Sequence, residues 1–159
     1  MKQDKRSPPK SKRSKESRNG ACRPPREQPV VLSVQNPHAA GIDVHCDMHM
    51  VCLPADRDSE PVRQFGANTC DLHAIADWLK QCGVTTVAME STGVYWIPLF
   101  ELLEAQGFEV WLVEPGQLSR CGARPKTDVL DCQWIQRLHS YGLLRPSFRP
   151  PEFILALRG

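Results

Sequence analysis

Four acidic residues stand in settings where a carboxylate needs a partner. Asp43 lies within the small and apolar run of residues 39–45, and Glu90 follows a Val-Ala-Met tripeptide. Asp128 and Asp131 stand at the start of a segment with helical spacing. Burying a carboxylate is costly unless a cation or hydrogen bonds neutralise it. We therefore expect the four acids to meet around divalent metal, in a fold that brings them together.

The chemistry that such a cluster would support is phosphoryl transfer. Mg²⁺ and Mn²⁺ prefer carboxylate oxygens and keep several water ligands. Four carboxylates that converge without metal would repel one another, and some would stay protonated. Two metal ions about 4 Å apart can activate an attacking oxygen and stabilise a leaving one. This chemistry fits strand transfer on nucleic acid.

Simpler interpretations of these residues stay open. Asp128 in the first turn of a helix would complement the helix dipole without binding any metal. Glu90 would cap the turn that follows it. Ser91 and Thr92 carry hydroxyl groups that a nucleophile needs, but no His stands at a spacing that supports a triad. We expect these two residues to shape the turn beside Glu90 instead.

Two further polar groups have alternative roles. One is a dense cluster that could bind zinc, formed by His45, Cys46, Asp47 and His49. Because it falls where a first strand should turn into a second, a polar, solvated bend is the simpler interpretation. The other group precedes the acidic helix and either contacts phosphates near the metal ions or consists of solvated loop charges. It is formed by Arg120, Arg124 and Lys126.

The elements that must position these residues follow from hydrophobic spacing. Alternating or β-branched apolar residues predict five strands, at about 39–46, 48–54, 62–66, 84–89 and 108–113. Apolar residues at helical spacing predict three helices, at about 69–82, 95–106 and 127–140. Asn68 or Thr69 is expected to cap the first helix, and Thr127 the third. Residues 114–126 hold two prolines and two glycines and are predicted to form a loop.

The order of these elements predicts an α/β fold. A β-β-β meander followed by α-β-α-β-α gives a mixed five-stranded sheet with helices on its faces. This is the ribonuclease H-like order. In that layout the first and fourth strands are neighbours, so Asp43 and Glu90 can approach each other. The last helix then brings Asp128 and Asp131 to the same place.

Charge and composition divide the chain. Residues 1–28 hold ten Lys and Arg against three acids, whereas the rest holds ten against fifteen. We expect residues 1–28 to form a disordered basic tail, which is either a nucleic-acid-binding arm or a solvated extension. A metal-binding domain is expected at 30–145, and 146–159 would begin a linker helix. The seven cysteines and the absence of a signal peptide or a long apolar run indicate free thiols, a cytoplasmic location and no membrane span.

Three motifs together resemble a known family. They are Gly-Ile-Asp-Val at 41–44, Glu-Ser-Thr-Gly-Val-Tyr-Trp at 90–96 and Lys-Thr-Asp-x-x-Asp at 126–131. They are similar to the N-terminal domain of insertion-sequence transposases with an Asp-Glu-Asp-Asp (DEDD) tetrad, which are DNA recombinases guided by an element-encoded bridge RNA. The resemblance covers residues from about 38 to the end.

This resemblance implies a RuvC-like form of the ribonuclease H-like fold and a transposase function. It implies that Asp43, Glu90, Asp128 and Asp131 are catalytic and bind Mg²⁺ or Mn²⁺. It also implies binding to DNA and to bridge RNA, assembly into a tetramer, and a catalytic serine on a C-terminal domain that completes a composite site with another subunit. Cys132 after the last acid departs slightly from the family pattern.

The length of the chain adds an expectation. The chain ends before the linker and the serine-bearing domain that the resemblance implies, so we expect a truncated product or an excised domain, inactive alone in complete transposition. A non-catalytic remnant that binds nucleic acid is the main alternative. An actin-like ATPase also begins with a Gly-Ile-Asp strand, but it needs further Gly-rich phosphate loops for which this chain is too short.

Overall fold

The computed structural model describes residues 31–122 and 127–147. This part of the chain forms five strands, β1 (Ala39–Val44), β2 (Met48–Cys52), β3 (Val62–Gly66), β4 (Thr86–Glu90) and β5 (Glu109–Val113). Its four helices are α1 (Thr69–Gln81), α2 (Ile97–Ala105), α3 (Pro115–Arg120) and α4 (Asp128–Ser140). The predicted basic tail and most of the predicted linker helix lie outside the described residues. No described helix has the length and apolar character needed to cross a bilayer.

The strands form one mixed sheet in the order β3-β2-β1-β4-β5. β1 pairs antiparallel with β2, and β2 pairs antiparallel with β3, as short connections require. β4 pairs parallel with β1 and with β5, through crossovers that contain α1 and α2. The predicted five-stranded, ribonuclease H-like arrangement is thereby confirmed, and β1 and β4 are neighbours.

Helices cover both faces of the sheet. On one face, the main core packs strand residues such as Ile42, Val87 and Met89 against α1 and α2. On the other face, α4 and α3 cover two smaller clusters, one with Ala88, Val113, Leu118 and Ile135, the other with Met50, Cys52 and Cys132. Because successive strand residues point to opposite faces, Ile42 and Asp43 lie on different sides of β1. Asp43 therefore faces α4.

Helix boundaries follow the capping residues of the sequence. Asn68 is the N-cap of α1, and its backbone N–H donates a hydrogen bond of 3.3 Å to the Asp71 carboxylate. Thr127 is the N-cap of α4, and its hydroxyl accepts a hydrogen bond from the Leu130 N–H at 3.2 Å. Both predicted caps are confirmed. Strand and helix ends differ from the predicted ones by a few residues, as for β1, which ends at Val44 rather than at 46.

The prediction of a loop at 114–126 is wrong for residues 115–120, which form α3. Pro115 occupies the first helical position, where its missing N–H has no intrahelical partner to lose and its fixed φ suits the helix. Leu118 is buried in the smaller core beside Val113, which gives the short helix an apolar anchor. Within the described residues the element order is therefore β-β-β-α-β-α-β-α-α, with one helix more than expected there.

The six cysteines within the described residues are all free, in agreement with the predicted absence of disulfides.

Candidate metal centre

The site lies at the edge of the sheet where β1 and β4 end. These strands run parallel, and Ile42 of β1 pairs with Met89 of β4. Asp43 and Glu90 each follow one residue later, so they project from equivalent positions at the same ends of neighbouring strands. Asp43 is buried, with 6% of its surface exposed, whereas Glu90 is half-buried. The sequence-based expectation that these two strand ends meet is confirmed by the register.

Gly41 allows α4 to lie directly on β1. A Cβ atom at this position would stand 2.3 Å from the backbone nitrogen of Gln136 and 2.6 Å from the carbonyl oxygen of Cys132. Both atoms belong to the backbone of α4 and cannot move aside singly. The Gln136 side chain adds a hydrogen bond of 3.2 Å to the carbonyl oxygen of Ala39. The helix is therefore held against the strand that carries Asp43.

The first turn of α4 supplies two further acids. The Thr127 cap and the hydrogen bond from the Asp131 N–H to the Thr127 carbonyl, 2.8 Å long, fix this turn. Asp128 is exposed at the helix end, while Asp131 is buried. Carboxylates in this position also complement the helix dipole, as expected from the simpler interpretation of Asp128.

His45 connects the acids of β1 and α4. Its Nε2 atom lies 3.1 Å from Oδ2 of Asp43 and 3.5 Å from Oδ1 of Asp128. One ligand atom from each of these three residues lies within 4.8 Å of the others. Glu90 and Asp131 lie outside this group of three. The structure thus brings Asp43 and Asp128 together through an imidazole that the sequence-based site did not include.

The charges of Glu90 and Asp131 also act on Asp43. Burial raises the pKa of Asp43, and the negative charges of Glu90 and Asp131 raise it further. The interaction with His45 opposes this rise in pKa. Glu90 also accepts a hydrogen bond of 2.9 Å from the Thr92 hydroxyl. Asp43 is therefore a buried carboxylate whose ionised form is disfavoured by its surroundings, a condition that a bound cation would relieve.

The other predicted site residues are spread more widely. Arg120 is exposed at the C-terminal end of α3. Arg124 and Lys126 lie outside the described residues. The Thr92 hydroxyl donates to Glu90, and the Ser91 N–H donates to the Val113 carbonyl at 2.9 Å, so both residues contribute to the turn beside Glu90.

The residues considered as zinc ligands do not all lie on the same side of the sheet. His49 is 2% exposed and pairs with Val44, so its side chain points to the face covered by α1 and α2, away from Asp43. Cys46 and Asp47 are exposed in the bend. The prediction of a solvated bend is wrong for His49, and burial lowers the pKa of its imidazole.

A sequence signal for His45 did exist. Side chains at i and i+2 of a strand share a face, so a residue two positions after Asp43 continues toward the same side of the sheet. The sequence interpretation grouped His45 with the residues that follow it in the bend. The strand period would have grouped it with Asp43.

Comparison with known families agrees with this architecture. The model of the IS110 family of DEDD transposases, described as "Transposase", matches residues 40–159. The match begins at the second residue of β1 and includes all the elements described above. No curated protein matches the chain. The chain therefore belongs to the IS110 family of DEDD transposases.

Proposed function

We propose that this protein provides the metal-binding catalytic domain of a transposase that cleaves and transfers DNA strands. Asp43, Glu90, Asp128 and Asp131 would hold Mg²⁺ or Mn²⁺. The observation that carries the proposal is the buried Asp43 at the shared end of β1 and β4, facing the first turn of α4. Family membership supplies DNA as the substrate class.

The donor set suits a hard divalent cation. Carboxylate oxygens are the ligands that Mg²⁺ and Mn²⁺ prefer. Asp43 is surrounded by the charges of Glu90 and Asp131 and is partly desolvated, so an ion would offset both the repulsion and the cost of burial. Bound metal would supply Lewis-acid stabilisation of charge on the oxygens of a DNA phosphate.

The chain itself would provide rigid positioning. Asp43 and Glu90 are anchored by the ladder between β1 and β4, and Asp128 and Asp131 by the capped first turn of α4. The close contact at Gly41 fixes the distance between these elements. Side chains on helices and strands hold a catalytic geometry more narrowly than side chains on loops.

Partners belong to the same proposal. We expect DNA and a bridge RNA as nucleic-acid ligands, with Arg120, Arg124 and Lys126 as phosphate contacts and the basic residues 1–28 as an additional arm. Strand cleavage would need a serine-bearing domain and a tetrameric assembly, in which the acidic site of one subunit works with the serine of another. We expect the protein to act in the cytoplasm, where its DNA substrate would be.

Metal-dependent stabilisation tests the core of the proposal. The melting temperature of the full chain is measured with no divalent ion and with Mg²⁺ or Mn²⁺ at millimolar concentration. We expect both ions to raise it, because an ion that binds only the folded state stabilises that state. Asp43→Asn should abolish the rise. Asp77→Asn serves as the matched control, because Asp77 is an exposed acid on α1, which covers the opposite face.

The outcomes separate the two candidate functions. A rise that is present in the unmodified chain and in Asp77→Asn but absent in Asp43→Asn supports the metal centre. If neither ion changes the melting temperature of the folded chain, the metal centre is wrong. The alternative is a non-catalytic transposase remnant that binds nucleic acid. It would then be favoured if the chain still bound DNA with an affinity that does not change when divalent ions are added.

A further inference from the structure

We propose that His45 is a nitrogen ligand of the metal centre and that it makes this centre favour Mn²⁺ over Mg²⁺. The inference rests on the proposed function, because it concerns the same site. It goes beyond the acidic tetrad, which contains only oxygen ligands.

The backbone holds His45 in a defined place. The connection between β1 and β2 is short, and the His45 N–H donates a hydrogen bond of 3.0 Å to the Met48 carbonyl. His45 follows the last residue of β1, and its imidazole contacts Asp43, so it lies on the same side of the sheet as that carboxylate. The imidazole is 37% exposed, compared with 9% for the Asp43 side chain, and therefore lies at the mouth of the site.

The distances match those between neighbouring ligands of one ion. In an octahedral site with bonds of about 2.1 Å, adjacent ligand atoms lie about 3.0 Å apart. The Nε2 atom of His45 lies 3.1 Å from Oδ2 of Asp43 and 3.5 Å from Oδ1 of Asp128. A single ion could therefore contact all three atoms after small side-chain movements.

Ligand chemistry then predicts metal preference. Mg²⁺ keeps oxygen ligands and several waters, whereas imidazole suits the transition-metal ions. Mn²⁺ accepts both carboxylate oxygen and imidazole nitrogen. A site with two carboxylates and one imidazole should therefore gain affinity for Mn²⁺ from the nitrogen and little for Mg²⁺.

Calorimetric titration measures the preference. The full chain, His45→Ala and His45→Gln are each titrated with Mn²⁺ and with Mg²⁺. Both substitutions should weaken Mn²⁺ binding about tenfold or more and change Mg²⁺ binding by much less, so the ratio of the two affinities should fall. The control is His73→Ala, because His73 is exposed on α1 and should leave both affinities unchanged.

Electron spin-echo spectroscopy detects the ligand directly in the unmodified sequence. Mn²⁺ is bound to full chain with ¹⁵N-labelled histidine, and modulation from a coordinated ¹⁵N nucleus is expected. The same signal should be absent from His45→Gln and present in His73→Ala. The measurement on the unmodified chain does not depend on the folding of a variant.

Two results would overturn the inference. Bound Mn²⁺ without ¹⁵N modulation would show that His45 only hydrogen-bonds the carboxylates, and the proposed metal centre would still stand. Equal losses of Mg²⁺ and Mn²⁺ affinity in both variants would also assign His45 to positioning Asp43 rather than to binding the ion. Absence of binding by either ion to the unmodified chain would instead refute the metal centre itself, and His45 with it.

Discussion

A residue without a side chain sets the geometry of the site. Gly41 lies two residues before Asp43 on the same face of β1, and it faces the backbone of α4. Without a Cβ atom at this position, the helix axis approaches the strand closely enough for the first turn of α4 to face Asp43. The Gly-Ile-Asp sequence therefore combines the contact surface for α4 with the acid that the helix must reach.

Replacing Gly41 by Ala should damage both folding and metal binding. The new methyl group would meet the backbone of α4 at less than 3 Å, so the helix must shift. We expect a loss of about 1–3 kcal/mol in the free energy of unfolding, in the range of other overpacked cores. Urea denaturation measures this loss, and titration with Mn²⁺ measures the accompanying fall in affinity.

Gly116→Ala is the control for this substitution. A Cβ atom at Gly116 would have its nearest neighbour at 3.5 Å, at the end of the flexible Arg120 side chain. Alanine in a helix is about 0.5–1 kcal/mol more favourable than glycine, so this variant should be as stable as the unmodified chain or slightly more stable. If Gly41→Ala were equally well tolerated, the close packing of α4 on β1 would not be what holds the site.

Asp43 and His45 differ in how far their surroundings could be predicted from the sequence. Asp43 stands out because an ionised group inside an apolar strand is costly, and this cost is visible without coordinates. The approach of His45 to Asp128 could not be predicted, because the two residues are more than eighty positions apart in the chain. Only the fold brings the two within 3.5 Å of each other. The spacing of His45 from Asp43 is visible in the sequence, but nothing near His45 in the sequence indicates that Asp128 lies beside it.

At the scale of elements, α4 is the one that completes the site. It packs on β1, contributes Ile135 and Leu138 to one cluster and Cys132 to another, and begins with two acids. Its start is fixed by Thr127, whose hydroxyl accepts the Leu130 N–H. The geometry of the acidic first turn therefore depends in part on the Thr127 cap.

Thr127→Ala should weaken both the helix and the metal site. Loss of an N-cap costs about 1 kcal/mol, and the released N–H groups would let the first turn fray. We expect a lower urea midpoint and weaker Mn²⁺ binding. Thr127→Ser retains a capping hydroxyl and should behave like the unmodified chain. A full loss of Mn²⁺ affinity in the serine variant would contradict capping as the cause.

Most helices and strands could be predicted because their apolar residues recur at regular spacing. α1 has apolar residues at i, i+3, i+4 and i+7, and all four, including Ile75 and Leu79, are buried as that pattern requires. Helix α3 was not predicted because the Pro115-Gly116 pair is typical of a turn, although Pro at the first helical position favours a helix. A helix of six residues with one buried leucine is too short for a hydrophobic period to appear.

At the scale of the whole molecule, His139 connects α4 to strands β4 and β5 of the sheet. Its ring lies in α4, is fully buried and packs 4.9 Å from the Trp111 ring of β5. The Nε2 atom shares a hydrogen bond of 2.8 Å with the Thr86 hydroxyl at the start of β4. Burial lowers the pKa of His139 to about 4, so the folded protein holds this imidazole in its neutral form at pH 7.

Folding stability should therefore depend on pH below neutrality. Between pH 4 and 6.5 the unfolded chain binds a proton at position 139 that the folded chain does not bind. The contribution of His139 to the free energy of unfolding is therefore fully present above pH 6.5 and is lost as the pH falls. The loss should reach about 3 kcal/mol near pH 4, at 1.36 kcal/mol per pKa unit.

The variant His139→Gln should flatten this slope. A smaller slope should remain from buried His49, whose pKa is also lowered. Urea denaturation from pH 4 to 8 measures it, with exposed His73→Gln as the control. An unchanged slope in His139→Gln would contradict the lowered pKa of this imidazole, because a group that titrates alike in the folded and unfolded chains adds no pH dependence.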